Sequence, residues 1–468
     1  MRITLLDVSR ITGSVFVGLS PELAMECPTG AAIDSRAVES GNLFFCLPGE
    51  RVDGHDFAAA AVEKGALAII ATRDPFAPES PPVPVFVVDD AAEALARLGA
   101  VHRAETDALV IGITGSSGKT SVKEVLASVL SHQGRTEKNP VNLNNQIGLP
   151  LSMLNASEDA MYWVMEAGIS QPHDMDDLGR MLRPDIAVIL NVGDAHTQGL
   201  GDRGVAYYKT RLLGYVAARG QAVVSADYPA LRREAAACPV DTVYFSARDE
   251  TESFFAAYLG PDARPEGGGR FSLFMDGPEV TVTAPFYGEY GAENVAAIGT
   301  VASLLGMTDY EIQAGFAKAT LPAQRFAVAE NGPFLIIDDS YNANPLSMVR
   351  MLDAAGDMAA QRGQDLILVL GEMGELGPDS AEHHENLGHR AAELAPRAVF
   401  WKGGHAREME KGLIDGGYLG VFLPVADAAA FLAAFTAEGM EQGVVLFKGS
   451  RSNKLEELVT AFAAQAGR

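Results

Sequence analysis

The stretch Thr114-Gly115-Ser116-Ser117-Gly118-Lys119-Thr120 has the residue types that hold a polyphosphate. Its glycines let backbone N–H groups turn onto phosphate oxygens, Lys119 reaches the terminal phosphates, and Thr120 offers a hydroxyl to Mg2+. The full nucleotide-loop pattern has a further glycine five residues before Gly118; this chain has Ile113 there, so only the shorter loop is present. Its flanks supply the missing context. Ala108-Leu-Val-Ile-Gly-Ile113 reads as a buried strand, and Val122, Val125, Leu126, Val129 and Leu130 recur at the spacing of one helix face. A strand, a glycine-rich turn and a helix together set a positive helix N-terminus against phosphate. The chain is expected to bind a nucleoside triphosphate.

Two more strand-like runs end in groups that can ligate a metal. Tyr162-Trp-Val-Met-Glu166 delivers Glu166, and Ile189-Leu-Asn-Val-Gly-Asp-Ala-His196 delivers His196. In a parallel sheet both fall at the edge that carries the phosphate loop. On residue type alone Glu166 also reads as a surface or capping carboxylate, and His196 as an ordinary histidine after a strand. Lys209, thirteen residues past His196, reads as a solvated helix lysine.

The elements that must position these groups form three blocks: residues 1–88, 89–322 and 323–468. In the first, Asn42–Leu47, Ala66–Ala71 and Val85–Val88 read as short buried strands, with helical Phe57–Lys64 between the first two. In the second, strands at 108–113, 162–165, 186–190 and 222–225 alternate with helical sequence, and the glycine-rich run 265–269 with alternating Val280–Ala284 adds an antiparallel hairpin. In the third, strands at 334–337, 366–370, 398–401 and 444–447 are each followed by a helical pattern. The expected fold class is α/β: a small N-terminal domain, a central phosphate-loop domain with a mostly parallel sheet flanked by helices, and a Rossmann-like C-terminal domain.

Composition narrows the partners. With 36 Lys and Arg against 61 Asp and Glu, the net charge is −25, which disfavours nucleic acid and anionic membranes as partners. No apolar run reaches the length of a membrane span, and the N-terminus lacks the apolar core of a signal peptide. Cys27, Cys46 and Cys238, odd in number and far apart, read as buried free thiols in a reducing compartment. A cytoplasmic monomer is expected.

The loop Thr114–Thr120, Glu166-Ala-Gly168, His196 with Lys209, Asn144-Asn-Gln-Ile-Gly-Leu-Pro150, Asp338-Asp-Ser-Tyr-Asn-Ala-Asn-Pro345, Gly371-Glu-Met-Gly-Glu-Leu-Gly377 and Lys448-Gly-Ser-Arg-Ser452 occur in one order along nearly the whole chain. In these segments the chain resembles the Mur ligases, ATP-dependent amide-bond-forming enzymes of peptidoglycan synthesis. The resemblance implies that a substrate carboxylate attacks the γ-phosphate of ATP and that an amine then displaces phosphate from the acyl phosphate. It implies as substrates UDP-N-acetylmuramoyl-tripeptide and D-alanyl-D-alanine. It further implies that Glu166, His196 and Lys209, the last as a CO2-derived carbamate, hold one Mg2+, and that Thr120 helps to hold the other. By the same resemblance Asn294, Arg325 and Asp339 join the loop around ATP, Ser35, Arg36, Asn144 and Asn145 face the UDP-muramoyl peptide, and Tyr341, Asn342 and Asn344 face the dipeptide. A folylpolyglutamate-type synthetase, a ligase adding the third residue and an inactive nucleotide-binding regulator are the competing readings. The C-terminal segments argue against the first two, and Glu166, His196 and Lys209 against the third.

The chain also departs from the family. The adenine-side pattern Gly-x-His-Asn-x-x-Asn stands here as Gly288-Glu-Tyr-Gly-Ala-Glu-Asn294, so that Tyr290 and Gly291 replace His and Asn. Gln146 stands where an acidic residue is common, and Arg211 where a glutamate commonly follows the lysine. None of these changes removes an implied metal ligand.

Overall fold

A computed structural model of the chain describes residues 1–49, 52–140, 142–193, 203–262 and 268–466. Three sheets follow one another along it. The first, in the order Val15–Val17, Val85–Val87, Ala68–Ala71, Asn42–Phe45, Gly30–Ala32, is parallel except for its first strand.

The central sheet has nine strands among the described residues. Its parallel part runs Asp241–Ser246, Gln221–Ser225, Ile186–Ile189, Leu109–Thr114, Tyr162–Glu166, Thr136–Lys138. Phe254–Pro261 extends it, and Gly269–Met275 and Val280–Ala284 then add antiparallel strands. The expected hairpin is thus one strand larger, and residues 265–267 of its glycine run lie outside the described residues. Buried residues alternate between the two faces: Ile111 and Ile113 pack beneath the helix Lys119–Leu130, while Val110 enters the opposite core with Met175 and Leu178. Burial on both faces explains why these strands read as continuous apolar runs.

The third sheet, Ala327–Asn331, Phe334–Asp339, Gly443–Lys448, Leu366–Gly371, Ala398–Lys402, Val421–Pro424, is parallel after its first strand. It too is packed on both faces, with Leu366, Leu368 and Leu370 on one and Ile367 and Val369 on the other.

The helix Ala91–Glu105 joins the first two sheets. Its Ala91, Ala94, Leu95 and Leu98 share one core with Leu43 and Phe86 of the first sheet and with Leu151 and Leu154 of the helix Gly148–Leu154. Asn155 adds a bidentate link: its Oδ1 accepts the Ala31 N–H and its Nδ2 donates to the Ala31 carbonyl, each at 2.9 Å. Across the other boundary the helices Gly288–Leu304 and Pro345–Arg362 meet. Among the described residues no helix is long and apolar enough to cross a membrane. All three cysteines are free, but only Cys46 is buried; Cys27 is exposed because it lies in the loop before Gly30–Ala32 rather than in a packed element.

Candidate active site

Leu109–Thr114 lies between Ile186–Ile189 and Tyr162–Glu166, so the chain crosses to opposite sides at its carboxyl end, where ligands bind in such sheets. The phosphate loop fills this point. Gly118, at φ 82°, caps the helix Lys119–Leu130, and a Cβ there would meet Asn294 Oδ1 at 2.9 Å. Asn294 is completely buried with both amide atoms lacking a protein partner, an arrangement suited to a planar group with its own donors and acceptors. Lys119 Nζ donates to the Gly115 carbonyl at 2.9 Å, and enclosure lowers its pKa against the pull of Glu166. The Thr114 hydroxyl is buried and unpartnered, while Ser116 Oγ accepts the Gly193 N–H at 3.0 Å. Asn191 Oδ1 accepts the Ser117 N–H at 2.8 Å.

Glu166 ends its strand beside Ile113 and is 2% exposed, so it is neither a surface nor a capping carboxylate. Its Oε2 accepts from Thr120 Oγ1 and its Oε1 from Asn144 Nδ2, both at 2.8 Å. Its backbone is held from both sides by Asn139, whose Oδ1 accepts the Glu166 N–H at 2.9 Å and whose Nδ2 donates to the Glu166 carbonyl at 3.0 Å. The buried Lys123 ammonium fixes Asn139 in turn, donating to its carbonyl at 2.5 Å.

Lys209 corrects the solvated-lysine reading. It sits in the helix Gly204–Thr210 and is 2% exposed. Burial drives its pKa well below the ordinary lysine value, the Lys119 charge adds to the effect, and Glu166 opposes it. His196 lies outside the described residues.

The third sheet contributes the opposite wall. Arg325 Nη2 donates to Thr120 Oγ1 at 3.3 Å while its guanidinium stacks 4.0 Å over the Tyr341 ring. Asp339 is engaged at both oxygens, accepting from Lys448 Nζ at 2.5 Å and from the Phe326 N–H at 3.0 Å. Asn344 caps the helix Pro345–Arg362 through Oδ1 and donates through Nδ2 to the Ser116 carbonyl at 3.0 Å. The Asn342 carbonyl accepts from Lys448. Asn145 lies just before the helix Gly148–Leu154 and accepts the Gly148 N–H at 2.8 Å.

Between the central and third sheets lies a cavity of about 500 Å3, bounded also by Tyr290; Thr114, Gly115, Asn294 and Lys209 are not in its lining. Lys119, Thr120, Asn144, Asn145, Glu166, Arg325, Asp339, Tyr341, Asn342 and Asn344 all face it. Ser35 and Arg36 do not: Ser35 is buried in the first unit, and the exposed Arg36 guanidinium clasps Asp34, holding that carboxyl at about 2. Gly291 leaves no room for the family's asparagine, since a Cβ there would lie 2.8 Å from Phe286 Cβ. Asn139, Lys123 and Asn191 escaped sequence reasoning, although Asn191 stands in the run that delivers His196; Lys448 stood in a segment that carries the resemblance.

The same organisation appears in known proteins. Residues 29–103 match the Mur ligase family catalytic domain, 113–302 the Mur ligase middle domain, and 324–451 the Mur ligase glutamate ligase domain. The chain is 33% identical to UDP-N-acetylmuramoyl-tripeptide--D-alanyl-D-alanine ligase of Mycobacterium leprae, over 96% of each chain. It superposes on MurF from Acinetobacter baumannii with a TM-score of 0.83 at 30% identity, covering 98% of each chain. MurF ligase from Thermotoga maritima in complex with ADP gives 0.79 at 30% identity, covering 93% of this chain and 97% of that one. With all three domains matched in order and relatives aligned from end to end, the chain belongs to the Mur ligase family, ATP-dependent enzymes that form amide bonds in peptidoglycan synthesis.

Proposed function

We propose that the chain joins D-alanyl-D-alanine to UDP-N-acetylmuramoyl-tripeptide, giving UDP-N-acetylmuramoyl-pentapeptide, ADP and phosphate. The observation that carries this reading is the convergence of Lys119, Thr120, Glu166 and Arg325 on one cavity walled by two domains. The relatives' names support the choice of substrates. In the first step a carboxylate oxygen of the tripeptide attacks the γ-phosphorus of ATP and ADP leaves. In the second the dipeptide amine attacks the acyl carbon, and phosphate leaves from the tetrahedral intermediate as the nitrogen loses its extra proton. The first step brings two anions together and the second builds negative charge on the tetrahedral intermediate, and the Lys119 and Arg325 cations are the groups this chain offers to offset both. The wall supplied by the third sheet excludes water from the hydrolysable acyl phosphate.

The donor set suits Mg2+. Thr120 and Glu166 are oxygen donors already in contact, of the hard type that ion prefers. A cationic Lys209 would repel a metal, but its burial favours the neutral amine, the form that takes up CO2 to become an anionic oxygen donor. Thr120, Glu166, His196 and carbamylated Lys209 are therefore the proposed ligands; bound there, Mg2+ would neutralise phosphate charge. Asn294 with Tyr290 is the proposed base subsite, Asp339 the ribose contact, and Ser35 and Arg36 the uridine-nucleotide contacts. Tyr341, Asn342 and Asn344 are proposed to face the dipeptide.

The test is ATP-dependent ligation with both substrates, following phosphate release and product mass. Phosphate and pentapeptide should appear together and only when D-alanyl-D-alanine is present. Robust release without the dipeptide, and no ligated product with it, would overturn the reading.

A further inference from the structure

The C-terminal unit reaches the phosphate loop at two direct points, Arg325 to Thr120 and Asn344 to Ser116. A third route is indirect and uses residues with no place in the chemistry. Glu293, on Gly288–Leu304, is 3% exposed at its side chain, and its Oε2 lies 2.5 Å from Nη2 of Arg350, on Pro345–Arg362. The same Oε2 accepts from Asn191 Nδ2 at 3.2 Å. Asn191 clasps Ser117, accepting its N–H through Oδ1 and donating through Nδ2 to its carbonyl at 3.1 Å. Its own carbonyl accepts the Ser116 N–H at 3.1 Å.

We infer that Glu293 and Arg350 are positioning residues, a buried ion pair through which docking of the C-terminal unit sets the conformation of the phosphate loop by way of Asn191. Three observations carry the argument. The pair spans the two units, so Glu293 keeps its countercharge only while they are docked. A buried carboxylate without its partner is strongly unfavourable, which makes the docked arrangement discrete rather than graded. The carboxylate oxygen that meets Arg350 is also the one that meets Asn191, so undocking removes the cation that holds this carboxylate against the Asn191 amide. The same Arg350 nitrogen also donates to the Tyr228 hydroxyl, and a crevice of about 360 Å3 lies alongside, so water enters when the pair parts.

By linkage, what docking does for the loop, nucleotide on the loop must do for docking. The inference rests on the nucleotide-binding part of the proposed function and is independent of the amine acceptor.

Glu293→Gln, Arg350→Met and the double variant test it in the full chain. The first readout is titration with a non-hydrolysable ATP analogue and Mg2+, which needs no acceptor and so separates this inference from the substrate assignment. Each single variant should bind the analogue about tenfold more weakly, within the usual range of coupling between sites. In turnover, kcat should fall and KM for ATP rise, while KM for the muramoyl substrate stays within about twofold. The double variant should be no worse than either single, because the two charges act as one unit. Glu293→Gln is nearly isosteric and carries the test alone if Arg350→Met does not fold; Arg350→Lys should restore part of the affinity. Unchanged analogue affinity in folded Glu293→Gln, or single effects that multiply in the double variant, would overturn the inference. So would a uniform loss in every kinetic constant, the mark of a purely structural pair.

Discussion

Thr120 Oγ1 donates to Glu166 Oε2 at 2.8 Å, tying the first turn of the phosphate-loop helix to the end of the neighbouring strand. The same hydroxyl receives Arg325 Nη2 from the turn that leads into the third sheet, so one oxygen joins three segments of the chain. Thr120→Val keeps the shape and removes the oxygen. It should leave the fold intact and lower kcat about a hundredfold, the scale seen when one transition-state contact is lost. Thr120→Ser should retain most of the activity. A Mg2+ titration of turnover in both variants checks the pair of outcomes.

Asn139 touches no substrate, yet it holds the Glu166 backbone by both its N–H and its carbonyl. Asn139→Ala leaves both groups buried without partners, at a cost of about 1–3 kcal/mol each. It should therefore lower the melting temperature. It should also raise the Mg2+ concentration for half-maximal rate by about 10–100-fold, as loss of an outer partner of a metal ligand does. Calorimetry and metal titration read the two effects separately.

Lys209→Ala removes the amine that the proposed carbamate needs. Activity should fall at least about a hundredfold, and short carboxylic acids should restore part of it by standing in for the carbamate oxygens. Lys209→Arg, which keeps a cation and cannot take up CO2 in this way, should be neither active nor restored. Phosphate release with and without added acetate distinguishes the cases.

Stability should fall in mild acid. His384 is buried, its Nε2 accepts the Met373 N–H at 3.0 Å, and its Nδ1 donates to the Ser380 carbonyl at 2.6 Å. Both nitrogens are thus committed to the neutral ring, and burial holds the pKa below the usual 6.5. The unfolded chain binds the proton first, so stability is complete above the unfolded pKa. It is lost as pH falls from there toward the lower folded value. Each proton bound only by the unfolded chain costs about 1.4 kcal/mol per pH unit in that window. Buried His102 acts in the same direction. Melting temperatures at pH 7.5 and 5.5 should therefore differ. His384→Gln should melt lower at pH 7.5 but with a shallower pH slope.

Much of this was legible in the chain itself, for physical reasons. Strands buried on both faces appear as unbroken apolar runs, and the loop needs glycine at Gly118 because its φ is positive. Some strands outside the expected set, Val15–Val17 and Asp241–Ser246, carry β-branched and aromatic residues but are exposed or half-buried, and two others lack such marks altogether. Thr136–Lys138 is a polar edge strand, and Gly30–Ala32 contains no β-branched or aromatic residue. The burial of Lys209 could not be read from residue type, since a lysine in a helix is ordinarily solvated. The Asn139 clasp on Glu166 and the Glu293–Arg350 pair join residues 27 and 57 positions apart. Only the folded sheet edge, in the first case, and the packing of two helices, in the second, bring them together.

The helix Ala91–Glu105 and the Asn155–Ala31 link make the first and central units one body. The span from Ser35 to the phosphate loop is therefore a built-in dimension. On the proposed assignment the muramoyl peptide lies along that span, anchored by its nucleotide at one end and reacting at the other. The enzyme is then a gauge as well as a catalyst. On that assignment a peptide one residue too short would leave its carboxylate short of the γ-phosphate, and one too long would overshoot it.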